Sequence, residues 1–391
     1  MAKEPIRPVT LADGTKRWRL VVDIGNDPVT KKRRQLTSTW DTQKAARAEL
    51  NRIRHESNTG AYIRPAKTTL SEYLDTWLAG RRKLEAATRS NYENALKPAR
   101  ERLGTRELQS ITKGDIDGLV EWMLSSGRKR GGKPGTGVSP RAVQLTLTAL
   151  QMALDMAVGE KKLSYNPTRL VERPTQIKTK RTPWTVDEIR AFLAAIRDDR
   201  LFAVMFLSLM GLRPEEVCGL KWDKVDLENG ALTIDWVRTL VDGQAVEKEP
   251  KSEAGVRPLP LPAAPSAALK KLKTRQAAEK LAAGEAYGKD DKGRAYSGGG
   301  YVLADELGQP WKTDQLRRRF YRLVELAGVR KVRLYDARHA CLTYLAVNGV
   351  PDVIVSTWAG HADLSFTKRT YVHPAAEELR AGSDALDRLF S

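Results

Sequence analysis

At 391 residues, with 67 lysine and arginine residues against 48 aspartate and glutamate, the chain carries a formal charge of +19 and is long enough for two or three domains with separate cores. Self-repulsion of that size calls for a polyanionic partner, nucleic acid first and an anionic membrane surface second. A membrane span is not expected, because the apolar run LFAVMFLSLMGL at 201–212 is too short to cross a bilayer, and MAKEPIRPVT lacks the apolar core of a signal peptide, so the expected location is the cytoplasm.

Residues 1–65 hold fourteen basic residues against seven acidic ones, a net +7. Two alternating runs, KRWRLVVDI and KKRRQLTSTW, flank the turn residues GNDP and precede a helical stretch, DTQKAARAELNRIRHE, that Gly60 can close. The expected module is a small three-stranded sheet backed by one helix. Alternation puts Arg17 and Arg19 on one face and Trp18 and Leu20 on the core face. With Lys31, Lys32, Arg33 and Arg34, these arginines form either a basic ribbon suited to a DNA major groove or a solvated sheet face.

A helical bundle is expected over 66–173. Thr69 and Glu72 make a capping box ahead of the stripe Leu70, Tyr73, Leu74, Trp77 and Leu78. Further helical patterns follow in TRSNYENALKPARERLG, TKGDIDGLVEWMLSS and SPRAVQLTLTALQMALDMAVGE, the last with Ser139 as cap and Pro140 at the first helical position. Between the third and fourth lies GRKRGGKPGTG, read as a mobile basic loop in which Arg128, Lys129 and Arg130 meet phosphates. PTQIKTKRTP at 174–183 reads as a linker.

The third unit, 184–391, opens with a Thr185/Glu188 capping box and a run LFAVMFLSLM at 201–210 that is apolar all round, as a central core helix is. Three short antiparallel strands are expected in ALTIDWVRTLVDGQAVEKEPKSEAGVRPLPL, with turns at Asp242-Gly243 and Glu253-Ala254-Gly255. GEAYGKDDKGRAYSGGG reads as a disordered insertion. The fold class is mainly α with small β-sheets, α+β. Cys218 and Cys341 fall in apolar helical patterns without zinc-ligand spacing and read as reduced packing residues.

Several positions in this unit suit an anion. Arg213 in MGLRPEEVCGLKW is pinned between Gly211 and Pro214, either to hold a ligand or to pair with Glu216. In RLYDARHACLTYLAVNG, Asp336 can cap a helix whose first turn presents Arg338 and His339; a cation there opposes the helix dipole, which favours an anion-binding role for Arg338, while His339 reads as structural. WAGHADLSFTKRTYVHP then brings His361 and, ten positions on, Tyr371. The helix TDQLRRRFYRLVELAGV displays Arg317, Arg318, Arg319 and Arg322 beside an apolar side, suited to a groove or to solvent with Glu325 as a partner.

Four boxes in order, GLRPEEVCGLKW, EPKSEAGVRPLPL, YDARHACLTYL and WAGHADLSFTKRTYVH, resemble those of the tyrosine recombinases, and the three-part layout resembles phage-type and integrative-element integrases. The resemblance implies Tyr371 as nucleophile, Arg213 and Arg338 as phosphate clamp, Lys251 as the acid for the leaving 5′ oxygen and His361 as a further phosphate partner. The chemistry agrees: two guanidinium forks match the charge that develops on non-bridging oxygens, and a phenol titrating near pKa about 10 needs activation by its site. Tyr335 stands where the family usually has histidine, as a hydrogen-bonding substitute or a packing aromatic. The implied reaction needs neither metal nor nucleotide cofactor.

By the same likeness the bundle and the catalytic unit clamp the crossover site, and residues 1–65 bind separate arm sites. A C-terminal helix with Leu379, Leu386 and Leu389 would dock on a neighbouring protomer. The implied partners are double-stranded DNA attachment sites, a homotetramer on DNA, and excisionase and DNA-bending accessory proteins, in a nucleoid-associated cytoplasmic setting without membrane. The leading function is site-specific recombination that integrates and excises a mobile element. The alternatives are a DNA-binding protein on the same fold without cleavage, and a strand-relaxing topoisomerase, against which the separate basic N-terminal module argues.

Overall fold

The computed structural model describes residues 4–26, 33–58, 62–129, 131–176, 182–290 and 292–361. The chain divides into two compact units, 1–178 and 179–391.

The first unit holds two separate apolar cores. Strands β1 (Ile6–Thr10), β2 (Lys16–Asn26) and β3 (Arg33–Trp40) form an antiparallel sheet in that order, with helix α1 (Gln43–Asn58) packed on one face. Leu20 pairs with Ile6 across β1–β2, and both are buried with Val22, Ala46, Leu50 and Ile53. Trp18 packs against the same core, so Arg17 and Arg19 take the opposite face, as alternation requires. Gly60, Lys31 and Lys32 lie outside the described residues, and Arg33 and Arg34 are described in backbone only.

The second core belongs to four helices: α2 (Leu70–Gly80), α3 (Ala86–Leu103), α4 (Lys113–Ser125) and α5 (Pro140–Gly159). Thr69 closes its capping box, with its hydroxyl accepting from Glu72 N–H and Glu72 Oε2 accepting from Thr69 N–H at 2.8 Å. Helix α5 is long and apolar enough to cross a membrane by length and composition, but Val143, Leu147, Leu150 and Leu154 are packed inside the bundle.

The loop at 127–137, expected to be mobile, is organised around one of its own arginines. Arg128 Nε and Nη2 donate to Gly137 O at 3.0 and 2.7 Å, and Nη1 donates to Gly131 O at 2.8 Å. Gly131 and Gly135 supply left-handed turns within the loop. Arg128 therefore spends its fork on the loop, while exposed Lys129 pairs with Glu101. Arg130 lies outside the described residues.

The second unit contains α6 (Val186–Ala195), α7 (Phe202–Leu209), α8 (Pro214–Gly219), β4 (Val225–Asp226), β5 (Ala231–Ile234), β6 (Val237–Val241), β7 (Gln244–Lys248), β8 (Arg257–Pro260), α9 (Ala263–Ala283), α10 (Thr313–Leu326), α11 (Leu334–Val347) and α12 (Asp352–Ala359). Trp184, Phe192 and Phe320 meet in its core, with ring centroids 5.0–5.9 Å apart, beside the apolar α7.

Where three strands were expected after residue 230, there are four in two sheets. Asp235-Trp236 breaks the chain, so β5 pairs with β4 and β8 while β6 and β7 form their own hairpin. Asp242 and Gly243 both have positive φ, the geometry of a tight two-residue turn. The expected disordered insertion is folded as well. Tyr296 N–H donates to Gly288 O, Gly288 N–H donates to Leu307 O, and Tyr301 is buried with its hydroxyl donating to Glu247 Oε1 at 2.7 Å. Its glycines serve as turns, which composition alone reads as disorder. Among the described residues, Cys218 and Cys341 are free thiols, and burial pushes both up to about 12.

Candidate active site

The site grows from the C-terminal end of α12. A helix leaves its last carbonyls without intrahelical partners, at the negative end of its dipole. Here three successive carbonyls each receive an arginine from a different element. Arg257 Nε on β8 donates to Trp358 O at 2.8 Å, Arg338 Nη2 on α11 donates to Ala359 O, and Arg213 Nη2 ahead of α8 donates to Gly360 O at 3.1 Å. Gly360 has φ +62, the left-handed closure of the helix. His361 follows at once.

Arg338 is fully buried. Its Nη1 donates to Gly211 O at 2.6 Å, and Nη2 also lies 3.0 Å from His361 Nε2. A guanidinium can only donate, so Nε2 must accept, which places the imidazole proton on Nδ1. Burial, reinforced by Arg338 and Arg213, pushes His361 down to about 4, so it is neutral at pH 7. Burial and then Arg213 also lower Arg338 from its ordinary value, and its Nε has no acceptor among the described residues.

Arg213 is pinned from both sides. Gly211 has φ +92, Pro214 begins α8, and Glu216 Oε2 accepts from the Arg213 backbone N–H at 2.8 Å while Oε1 accepts from Nη1 at 2.6 Å. Of the readings made from the sequence, the pairing with Glu216 is present, and Arg213 also reaches the His361 end of α12. Burial opposes its charge, but the Glu216 carboxylate outweighs that and raises Arg213 above its ordinary value.

Glu216, 1% exposed, also accepts from Arg257 Nη1 and Nη2 at 3.1 and 3.0 Å. Burial alone would raise its pKa, yet the hydrogen bonds and charges of Arg257 and Arg213 hold it below its usual range. Two guanidiniums therefore share one carboxylate, with the third, Arg338, bonded to neutral acceptors beside them. With His361 neutral, the cluster keeps a surplus of positive charge.

Other site candidates sit around this cluster or outside what is described. Lys251 is exposed on the turn between β7 and β8; the same turn comes up against α12, where a Cβ on Gly360 would meet Ala254 O at 2.8 Å. Tyr335 is 37% exposed, stands edge-on to His339 at 5.2 Å, and adds to the electrostatics of both Arg213 and Arg338. Asp336 is not the helix cap expected. Helix α11 starts earlier, with Arg333 as N-cap and Asp336 accepting its N–H at 2.9 Å, so Arg338 lies past the first turn and is set by burial rather than by the dipole. Arg317 and Arg318 are exposed on α10, Arg318 pairs with Asp314 at 2.9 Å, and Arg319 pairs with Asp199. Tyr371 and the C-terminal stretch with Leu379, Leu386 and Leu389 lie outside the described residues.

Sequence comparison places this cluster among known proteins. Residues 184–378 match the model of the phage integrase family. A tyrosine recombinase XerC-like protein of Caldanaerobacter subterraneus is 27% identical over 97% of both chains. The chain belongs to the tyrosine recombinases of the phage integrase family. Its activity class is site-specific recombination. The ICEBs1 integrase of Bacillus subtilis is 24% identical over 95% of this recombinase and 97% of that protein. In fold, the Tn1549 transposon integrase in complex with a circular intermediate DNA superposes with TM-score 0.65 at 20% identity, covering 82% of this chain and 99% of that one. The lambda integrase tetramer bound to a Holliday junction gives 0.55 at 17% identity over 96% and 98%.

Two residues of this recombinase's cluster carried no functional reading in the sequence: Arg257, and Glu216 as more than a partner of Arg213. The signal was present. On β8 the burial alternates, with Arg257 and Leu259 inward and Pro258 and Pro260 outward, so period two alone puts an arginine in the core.

Proposed function

We propose that the arginine cluster at the end of α12 binds the scissile phosphate of a DNA attachment site, and that Tyr371 attacks it. The observation that carries this reading is the gathering of positive charge: among the described residues, Arg213 and Arg257 bond Glu216, and Arg338 lies beside them with neutral His361. Arg213 and Arg338 neutralise the non-bridging oxygens, their guanidiniums held by Glu216, Gly211 O and Ala359 O before substrate arrives. His361 presents Nδ1–H as a further donor.

The phenolate oxygen of Tyr371 forms the new bond to phosphorus, the bond to the 5′ oxygen breaks, and Lys251 delivers the proton that oxygen requires. The 3′-phosphotyrosyl link retains the bond energy, and attack by a partner strand's 5′ hydroxyl reverses the step without nucleotide hydrolysis. Tyr335 donates a hydrogen bond to the phosphate. Because Arg338 is fully enclosed, the groups over it must shift before phosphate contact is made.

At the level of the whole chain, residues 1–65 bind arm sites through the face of Arg17 and Arg19, 66–173 bind the core site, 174–183 link, and 184–391 carry catalysis, with Arg317, Arg318 and Arg319 toward DNA. The protein works in the cytoplasm as a homotetramer on attachment sites to integrate and excise a mobile element, with excisionase and DNA-bending partners. Support comes from the DNA complexes of the Tn1549 and lambda integrases, the latter tetrameric on a Holliday junction.

The test is a nicked suicide duplex built from the DNA flanking the gene. The wild-type protein forms a denaturation-resistant adduct, and Tyr371→Phe does not. Salt-sensitive binding without adduct would instead assign the protein to DNA binding without cleavage.

A further inference from the structure

Of the three arginines at the end of α12, Arg257 is the one assigned no contact with the phosphate oxygens, yet it is the most thoroughly bonded. It is 3% exposed. Its Nε donates to Trp358 O, Nη1 to Gly255 O at 3.0 Å and to Glu216 Oε1 at 3.1 Å, and Nη2 to Glu216 Oε2 at 3.0 Å. Four of its five N–H groups are thus committed to three separate segments.

Each of those segments carries a residue of the proposed chemistry. Trp358 O lies three residues before His361, Gly255 O four residues after Lys251, and Glu216 directly orients Arg213. The packing is close: a Cβ on Gly360 would lie 2.8 Å from Arg257 Nη1. Only a planar fork can serve acceptors spread this way. A lysine ammonium is a point donor at the end of a flexible stem and cannot hold all three at once.

We infer that Arg257 is a positioning residue that locks the His361 helix end, the Lys251 turn and the Glu216–Arg213 pair into one rigid frame. The inference rests on the functional reading above. An ordinary buried ion pair would stabilise the fold without touching the rate of the bound complex. A frame-holding arginine also governs the rate of the bound complex, because small displacements of reacting groups cost rate more than they cost binding.

The experiment measures single-turnover cleavage of the suicide duplex at saturating full-length protein, beside DNA affinity and thermal unfolding. Arg257→Lys is expected to cut the cleavage rate roughly 100-fold. Affinity, which is set largely by other phosphate contacts, should stay within about threefold. Glu216→Gln, which weakens the same frame from its other side, gives the same pattern and supplies the readout if the lysine variant melts early. The two rate losses should not multiply in the double variant, because both act through one network.

An unchanged rate in Arg257→Lys, a parallel fall of rate and affinity, or fully multiplicative losses each overturn the inference. A wild type that forms no adduct removes the functional reading and this inference together. A wild-type adduct with an unaffected Arg257→Lys removes this inference alone.

Discussion

Two arginine-rich regions of the second unit look alike in composition and differ in physics. On α10, Arg318 pairs with Asp314 and Arg319 with Asp199, and these two arginines, with Arg200, Arg275 and Arg322, border an open cleft of about 630 Å³ that also holds Asp198 and Glu306. Carboxylates nearly keep pace with guanidiniums there, and water screens what remains. At the end of α12, Arg213 and Arg257 share Glu216 while buried Arg338 bonds carbonyls and the neutral His361, and the remaining acceptors of Arg213 and Arg257 are carbonyls that carry no full charge. Counting arginines therefore locates neither site. The number of carboxylates per arginine, and the burial of both, separates a solvated basic face from a pocket built for an anion.

That contrast is broken most sharply by removing one arginine from each region. Arg338→Ala is expected to lower single-turnover cleavage roughly 10²–10³-fold, the scale of losing a donor to a developing oxyanion. Arg318→Ala should leave the rate of the saturated complex near wild type. Equal losses in the two variants would erase the distinction.

Removing the acids probes the same contrast through stability. Glu216→Ala leaves buried Arg257 and partly buried Arg213 without their counter-charge and should cost about 3–5 kcal/mol in denaturant unfolding of the full chain. Asp314→Ala on α10 should cost no more than about 1 kcal/mol. A similar cost for both would show that burial of Glu216 contributes little.

The pH dependence comes next in size. Glu216 is held below the usual 4.5 in the folded chain, so its contribution is complete above that value and is lost as pH falls further. His361 is depressed to about 4 against 6.5 when unfolded. Its contribution is full above pH 6.5 and drains away down to about pH 4. His361→Gln should flatten the stability profile between pH 6.5 and 4 and leave the region above pH 7 unchanged; an unaltered profile would contradict the neutral, arginine-bonded imidazole.

The smallest expected effect is on the α10 surface. Arg318→Ala should change stability by less than about 0.5 kcal/mol, because exposed ion pairs contribute little. It should reduce the salt dependence of DNA binding by about one unit of slope. A variant with wild-type slope would remove Arg318 from the DNA interface.

Much of this was legible in the sequence, for identifiable reasons. Helix α2 announced itself through Thr69, Glu72 and its apolar stripe, and the N-terminal sheet through alternation around Trp18 and Leu20. Arg213 and Arg338 were singled out by their local settings and then linked by four boxes occurring in order, and the structure brings both to the end of α12. What stayed hidden depended on long-range pairing. The partition of β5–β8 into two sheets is decided by β8 returning to β5, which no local pattern encodes. The glycine-rich segment after α9 is ordered by Tyr296, Tyr301 and Gln309, partners distant enough that composition alone suggested disorder. Arg128 binds its own loop, which a charge count cannot distinguish from waiting for phosphate. Arg257 shows the same limit in reverse, since its inward register was readable but its three acceptors come from three segments.

The claim beneath all of these is that the surplus charge at the end of α12 exists to meet the negative charge of one phosphate. Its most direct test replaces the scissile phosphate of the suicide duplex by a neutral methylphosphonate and compares wild type with Arg338→Ala on both substrates. If the claim holds, the rate gap between the two proteins shrinks by at least about tenfold on the neutral substrate, where there is one less charge to neutralise. A gap of the same size on both substrates would contradict it.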